Sequence, residues 1–172
     1  MRRFLDGLYT LSGALAGIFI VAITLVILAQ ILSRWVGFII PSTDDFSGFF
    51  LAASSFLGLA YTLKKGGHIR VNLAIQRLSS GQRHYQELLV LAVGSGLAGL
   101  MSWHLGYMVY ESWVFEDVSV GYLPVPLWIP QSSMFIGMLI FNIALVDELL
   151  RVLGGEKPCY QNHEDELNLE EV

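Results

Sequence analysis

The chain has 172 residues, 54% of them hydrophobic and only 15% charged, well under the roughly 25% of a soluble domain. Ten Lys and Arg against fifteen Asp and Glu give a net charge of −5, so the basic patch of a nucleic-acid binder is absent. The single cysteine, Cys159, excludes an intrachain disulfide, a CxxC redox pair and a cysteine zinc cluster, and with them a four-helix thiol oxidoreductase.

What remains is an all-α integral membrane protein. Arg2 and Arg3 precede a charge-free run from Gly7 to Ser33, which places a first span at 8–32, longer than the about 20 residues a crossing needs. Ala14-Leu15-Ala16 resembles a signal cleavage site and Arg2-Arg3 a twin-arginine signal. Cleavage after Ala16 would leave an apolar run from Gly17 to Leu32 at the new terminus, and the stretch before it is short for a signal core, so the segment reads as an uncleaved span. A second span, 46–63, lies between Asp45 and Lys64 and reaches only about 27 Å. Ser47, Gly48, Ser54, Ser55, Gly58 and Thr62 on it favour protein neighbours over lipid. Asp44 and Asp45 then mark one interface, with Lys64 and Lys65 snorkelling at the other.

Beyond Gly66-Gly67, Val71, Ala74, Ile75 and Leu78 recur at helical spacing. They predict a short amphipathic helix on the membrane surface, opening at Asn72 and closing near Gly81; a loop with chance periodicity is the alternative. The third span, 88–110, carries Ser95, Gly99, Ser102 and Gly106 on one small-residue face that a neighbouring helix can approach, and Gly13 and Gly17 form a similar pair in the first span. Pro124, Pro126 and Pro130 lead into the fourth span, 127–147, whose last charge-free residue is Val146. These spans make residues 1–153 a four-helix membrane domain. Residues 154–172, which hold six of the fifteen acids, are expected to form a disordered tail, solvated or touching a partner.

Nine of the ten Lys and Arg (Arg2, Arg3, Lys64, Lys65, Arg70, Arg77, Arg83, Arg151 and Lys157) fall on one side of this threading, and only Arg34 on the other. Each would cost about 2.5–3.5 kcal/mol at a helix centre, so the basic side marks the cytoplasm and both termini lie there. Trp35, Trp103, Trp113 and Trp128 fall toward the outer face, as an aromatic belt does.

A self-sufficient transporter needs ionisable groups or broken helices near the midplane, and the spans up to Val146 hold no Asp, Glu, Lys or Arg. The intramembrane polar residues are Gln30, His104, Gln131 and Asn142. His104 is the one titratable group among them, either a proton or substrate contact or a neutral imidazole bonded to a neighbouring helix. Arg34 with Asp44 and Asp45 forms either an ion pair joining the first two helices or three solvated interfacial charges. His68 and Arg70 read as partner contacts or as part of the basic retention signal. No nucleophile–base pair, phosphate loop or metal-ligand spacing appears, so an enzyme is not expected.

Arg34 at the end of the first span, the pair Asp44-Asp45, and the run Phe56-Leu57-Gly58-Leu59-Ala60-Tyr61-Thr62-Leu63-Lys64-Lys65-Gly66-Gly67-His68-Ile69-Arg70-Val71-Asn72 resemble the small membrane subunit of tripartite ATP-independent periplasmic (TRAP) transporters. The likeness extends through the four spans to about Leu153, with departures: the family often carries glutamates at Asp44 and Asp45, an arginine near Gly48 and an aspartate at Asn72. The resemblance implies a non-catalytic subunit in a bacterial inner membrane, bound to a larger membrane subunit that holds the sodium and substrate sites. A periplasmic binding protein would deliver an organic acid (a C4-dicarboxylate, a keto acid or sialic acid). The subunit itself would need no cofactor and would buttress the larger one, touching membrane lipid but no nucleic acid. Arg34, Asp44, Asp45, Gly58, Lys64, Lys65, His68, Arg70, Ser95 and Gly99 are then interface or structural residues. Two other readings fit the same spans: a small proton-coupled transporter working as a homo-oligomer through His104, and a tetraspan scaffold with no transport role.

Overall fold

A computed structural model describes residues 2–66 and 80–155, and they form four helices. These are α1 (Arg2–Trp35), α2 (Thr43–Lys64), α3 (Ser80–Val114) and α4 (Trp128–Leu153). Each contains a stretch long and apolar enough to cross a membrane, and no strand occurs among the described residues. At about 1.5 Å per residue, the 34 residues of α1 and the 35 of α3 outreach a hydrocarbon core of about 30 Å, whereas the 22 of α2 just cover it. The spans expected at 8–32 and 88–110 are therefore the middles of longer helices, whereas that at 127–147 begins one residue before α4 and stops six residues short of its end. The surface helix expected from Asn72 to near Gly81 lies outside the described residues, which resume at Ser80 with α3.

Local chemistry sets the helix ends. α1 stops where Gly37 takes a φ of +78°, with Phe38 N–H donating to the Ser33 carbonyl and Gly37 N–H to that of Arg34, a double bond pattern that uses up the last carbonyls. α2 ends at Lys64 and Lys65 with Gly66 at φ +69°, and α4 closes on Gly154 and Gly155, the latter at φ +78°. Asp44 and Asp45 in the first turn of α2 suit the positive pole of its dipole. Pro130 sits in the first turn of α4, where its missing N–H has no intrahelical use.

The helices form an open row rather than a closed bundle. α1 packs on α2, α2 on α4 and α4 on α3, while α1 meets α4 along a short stretch only. In a bilayer, lipid competes for apolar surface as well as protein does, so helices pair where small side chains let backbones approach. The interior shows this: Ala60, Ala98 and Ala144 are buried with Leu63, Leu91, Met138 and Leu145, and a second cluster joins Ala16, Ala53 and Leu57. At Gly137 the crossing is backbone against backbone: a Cβ there would lie 2.5 Å from the Phe56 carbonyl carbon. α1 is peripheral: 6% of its most apolar window is buried against 33% of that of α4, and Ile18, Val21, Leu25 and Leu32 face outward.

Candidate functional site

The row has two ends. One carries the start of α1 and the finish of α2 and α4 (the termini end); the other carries the α1–α2 and α3–α4 connections (the loop end). Polar chemistry gathers at both, because a charge can leave hydrocarbon only at a helix end.

At the termini end, Lys64 Nζ donates to Asp6 Oδ1 at 2.8 Å and ties α2 to α1. One turn past the apolar run of α4, Arg151 Nη1 lies 3.7 Å from Glu148 Oε1 and its Nε 4.0 Å from Asp147 Oδ2. Glu148 is only 6% exposed, and a carboxylate that deep persists only with charge partners. Tyr9 of α1 is buried beside this cluster. The sequence reading singled out Lys64 but passed over Asp6, Tyr9, Asp147 and Glu148. Their signal was available in the i, i+3 and i, i+4 spacing of Glu148 and Asp147 to Arg151, and in an acid at position 6 on the same side as Lys64. Lys65 is exposed, and His68 and Arg70 lie outside the described residues.

At the loop end, the α3–α4 connection is a fastened hairpin. Val118 bridges Pro126, Ser119 N–H donates to the Val125 carbonyl at 2.9 Å, and Leu127 N–H to that of Asp117 at 2.9 Å. The hairpin docks on the start of α2: Leu123 N–H donates to Ser42 Oγ at 3.0 Å, and Gly121 lies so close to the Asp45 carboxylate that a Cβ there would overlap it. Ser42 holds a left-handed φ of 58°, which turns its hydroxyl to this task. The ion pair considered for Arg34 does not form. Arg34 is exposed, Asp44 instead accepts a hydrogen bond from Gln30 Nε2 at 3.2 Å, and no ion pair reaches Asp44 or Asp45 among the described residues. A neutral amide is nearer than the guanidinium and avoids the cost of ordering a long exposed side chain.

Between the ends, the helix seams are narrow. Ser12 Oγ is buried in α1 and donates to the Leu57 carbonyl of α2 at 2.6 Å. A Cβ on Gly58 would meet Ala16 at 3.7 Å, and one on Gly13 would strike the Tyr61 ring at 2.5 Å, while Gly17 faces open space. On α3, a Cβ on Gly99 would stand 3.3 Å from the Asn142 side chain of α4 and one on Gly106 3.0 Å from the Phe135 ring; Ser102 is buried on the same face. The Ser95 hydroxyl turns back to the Ala92 carbonyl of its own helix at 3.0 Å. His104 is exposed beside Trp103 and makes no hydrogen bond to another described residue, so the neighbouring-helix bond considered for it is not made. A groove of about 300 Å³, lined by Ser102, Trp103, Gly106, Tyr107 and Phe135, opens on this side.

No three His, Cys, Asp or Glu among the described residues stand close enough to hold a metal ion. The arrangement suits fastening and packing: charges at helix ends, glycines at crossings and apolar faces outward. The family described as the DctQ component of tripartite ATP-independent periplasmic transporters matches residues 23–155. No curated protein matches the chain. The match takes in α2, α3 and α4 whole and the last 13 residues of α1, and so the chain belongs to the DctQ family, as a multi-pass component of a TRAP transporter in the bacterial inner membrane.

Proposed function

We propose that this chain is the scaffold-side small subunit of a sodium-driven importer of organic acids. It pairs with a large membrane subunit that binds sodium and substrate, and with a periplasmic protein that delivers a C4-dicarboxylate, a keto acid or sialic acid. The observation that carries this reading is the open row of helices with ionised groups only near its ends. Such helices can pack against a partner but offer no midplane charge to couple an ion gradient. Arg34, Gly58, Lys64, Lys65, His68, Arg70, Ser95 and Gly99 serve structure or the subunit interface in this role.

The termini end faces the cytoplasm and the loop end the periplasm, because Arg3, Lys64, Lys65 and Arg151 lie toward the former and Arg34 toward the latter. In that orientation residues 154–172 form an acidic cytoplasmic tail, and the fastened hairpin points outward. Val120, fully exposed, and Tyr122, 90% exposed, belong to this hairpin, with Glu111, Glu116 and Asp117 just before it in the chain, a surface suited to receiving the binding protein.

Co-expression of the tagged chain with the large membrane subunit tests the pairing. A heterodimer that survives size-exclusion chromatography is expected, whereas purification of the chain only as a homo-oligomer would favour the self-contained transporter instead. Orientation is tested with cysteine at position 68 and Cys159 replaced by serine: labelling by a membrane-impermeant maleimide on intact cells would overturn the topology.

A further inference from the structure

We infer that the termini end of the row holds a single structural water, bound between the hydroxyl of Tyr9 and the carboxylates of α4. Tyr9 is 4% exposed, and its buried Oη has no hydrogen-bond partner among the described residues. Tyr9 lines a cavity of about 10 Å³ together with Asp6, Lys64, Asp147, Glu148 and Arg151. A cavity of that size holds one water, and a bound water needs two to four polar neighbours, which this lining provides.

Arg151 stands 3.7 Å from Glu148 and 4.0 Å from Asp147, ion pairs that hold both carboxylates at the wall of the cavity that Tyr9 lines. Tyr9 donates to the water oxygen, and the water donates to a carboxylate of Asp147 or Glu148. A metal ion does not suit the place, since the carboxylates do not converge to within reach of one and two cationic side chains stand beside them. The bridge joins α1 to α4, helices that otherwise meet along a short stretch, so a buried hydroxyl becomes a tie between the edge of the row and its centre. This inference is independent of which larger protein, if any, the chain binds.

Two measurements on the full chain test it. Tyr9→Phe removes one partner of the water and is expected to lower the melting temperature by about 1–6 °C. If the hydroxyl were an unsatisfied buried group, the same change would leave the melting temperature unaltered or raise it, and the proposal would fall. A cryo-EM map of the chain in its membrane complex, at a resolution that shows waters, is expected to place density within hydrogen-bond distance of both Tyr9 Oη and an α4 carboxylate. Direct contact between the two side chains with no density between them would also overturn it.

Discussion

Gly137→Ala is expected to be the most damaging single-methyl change in this chain. An alanine Cβ there would stand 2.5 Å from the Phe56 carbonyl carbon and 2.7 Å from both the Leu57 nitrogen and the Phe56 oxygen. These are backbone atoms of α2, so no side chain can swing aside. Regaining an ordinary contact of 3.4 Å requires the two helices to part by about 0.9 Å at their crossing, which loosens Ala53, Leu57 and Met138 nearby. Overpacking of this kind costs about 1–3 kcal/mol, and lipid or detergent gives no hydrophobic force to press the helices back together. At about 2–4 °C per kcal/mol for a chain of this size, the melting temperature should fall by about 2–12 °C. The assay is size-exclusion chromatography with fluorescence detection after a heating series in detergent. Gly96→Ala, whose Cβ meets nothing within 4 Å, is the control. If Gly137→Ala melted with Gly96→Ala, the close crossing of α2 and α4 would be refuted.

Other variants probe the remaining contacts. Ser12→Ala removes a buried 2.6 Å hydrogen bond to the Leu57 carbonyl and should cost about 0.5–1.5 kcal/mol in the same heating assay. Gly13→Ala should cost less than Gly137→Ala although the clash is equally short, because the Tyr61 ring is partly exposed and free to turn. Arg151→Ala should destabilise the chain more than Lys64→Ala, since it strips a charge partner from the buried Glu148, whereas Asp6 and Lys64 are partly exposed and their pair is worth about 0–1 kcal/mol. Arg34→Ala should shift the melting temperature little, by the equivalent of about 0.5 kcal/mol at most, because Asp44 is bonded to Gln30 instead. A large loss there would restore an ion pair to the loop end.

The helices were readable from the sequence because charge is so expensive in hydrocarbon. Lys64-Lys65 after Leu63 and Asp44-Asp45 before Phe46 bracket α2 within a few residues of its ends. The same reasoning undershot α1 and α3, since polar residues such as Asp6 and Glu87 stop a span without stopping a helix. Small-residue periodicity pointed to the face of α3 that meets α4 at Gly99 and Gly106. It gave no hint of Gly137, an isolated glycine in an apolar run whose importance depends on which helix lies opposite. Reading charges as markers of membrane edges also hid the cluster of Asp6, Lys64, Glu148 and Arg151. Helix order in space decides which of these meet, and nothing in a linear pattern states that α2 and α4 are neighbours at the centre of the row.

The most direct measurement is solute uptake by proteoliposomes containing this chain alone, set beside vesicles that also contain the large subunit and receive the binding protein. A scaffold subunit should give no uptake by itself under an inward sodium gradient, with transport of an organic acid appearing only in the full assembly. Accumulation of solute against its gradient by the chain alone would contradict the central claim that its helices pack but do not translocate.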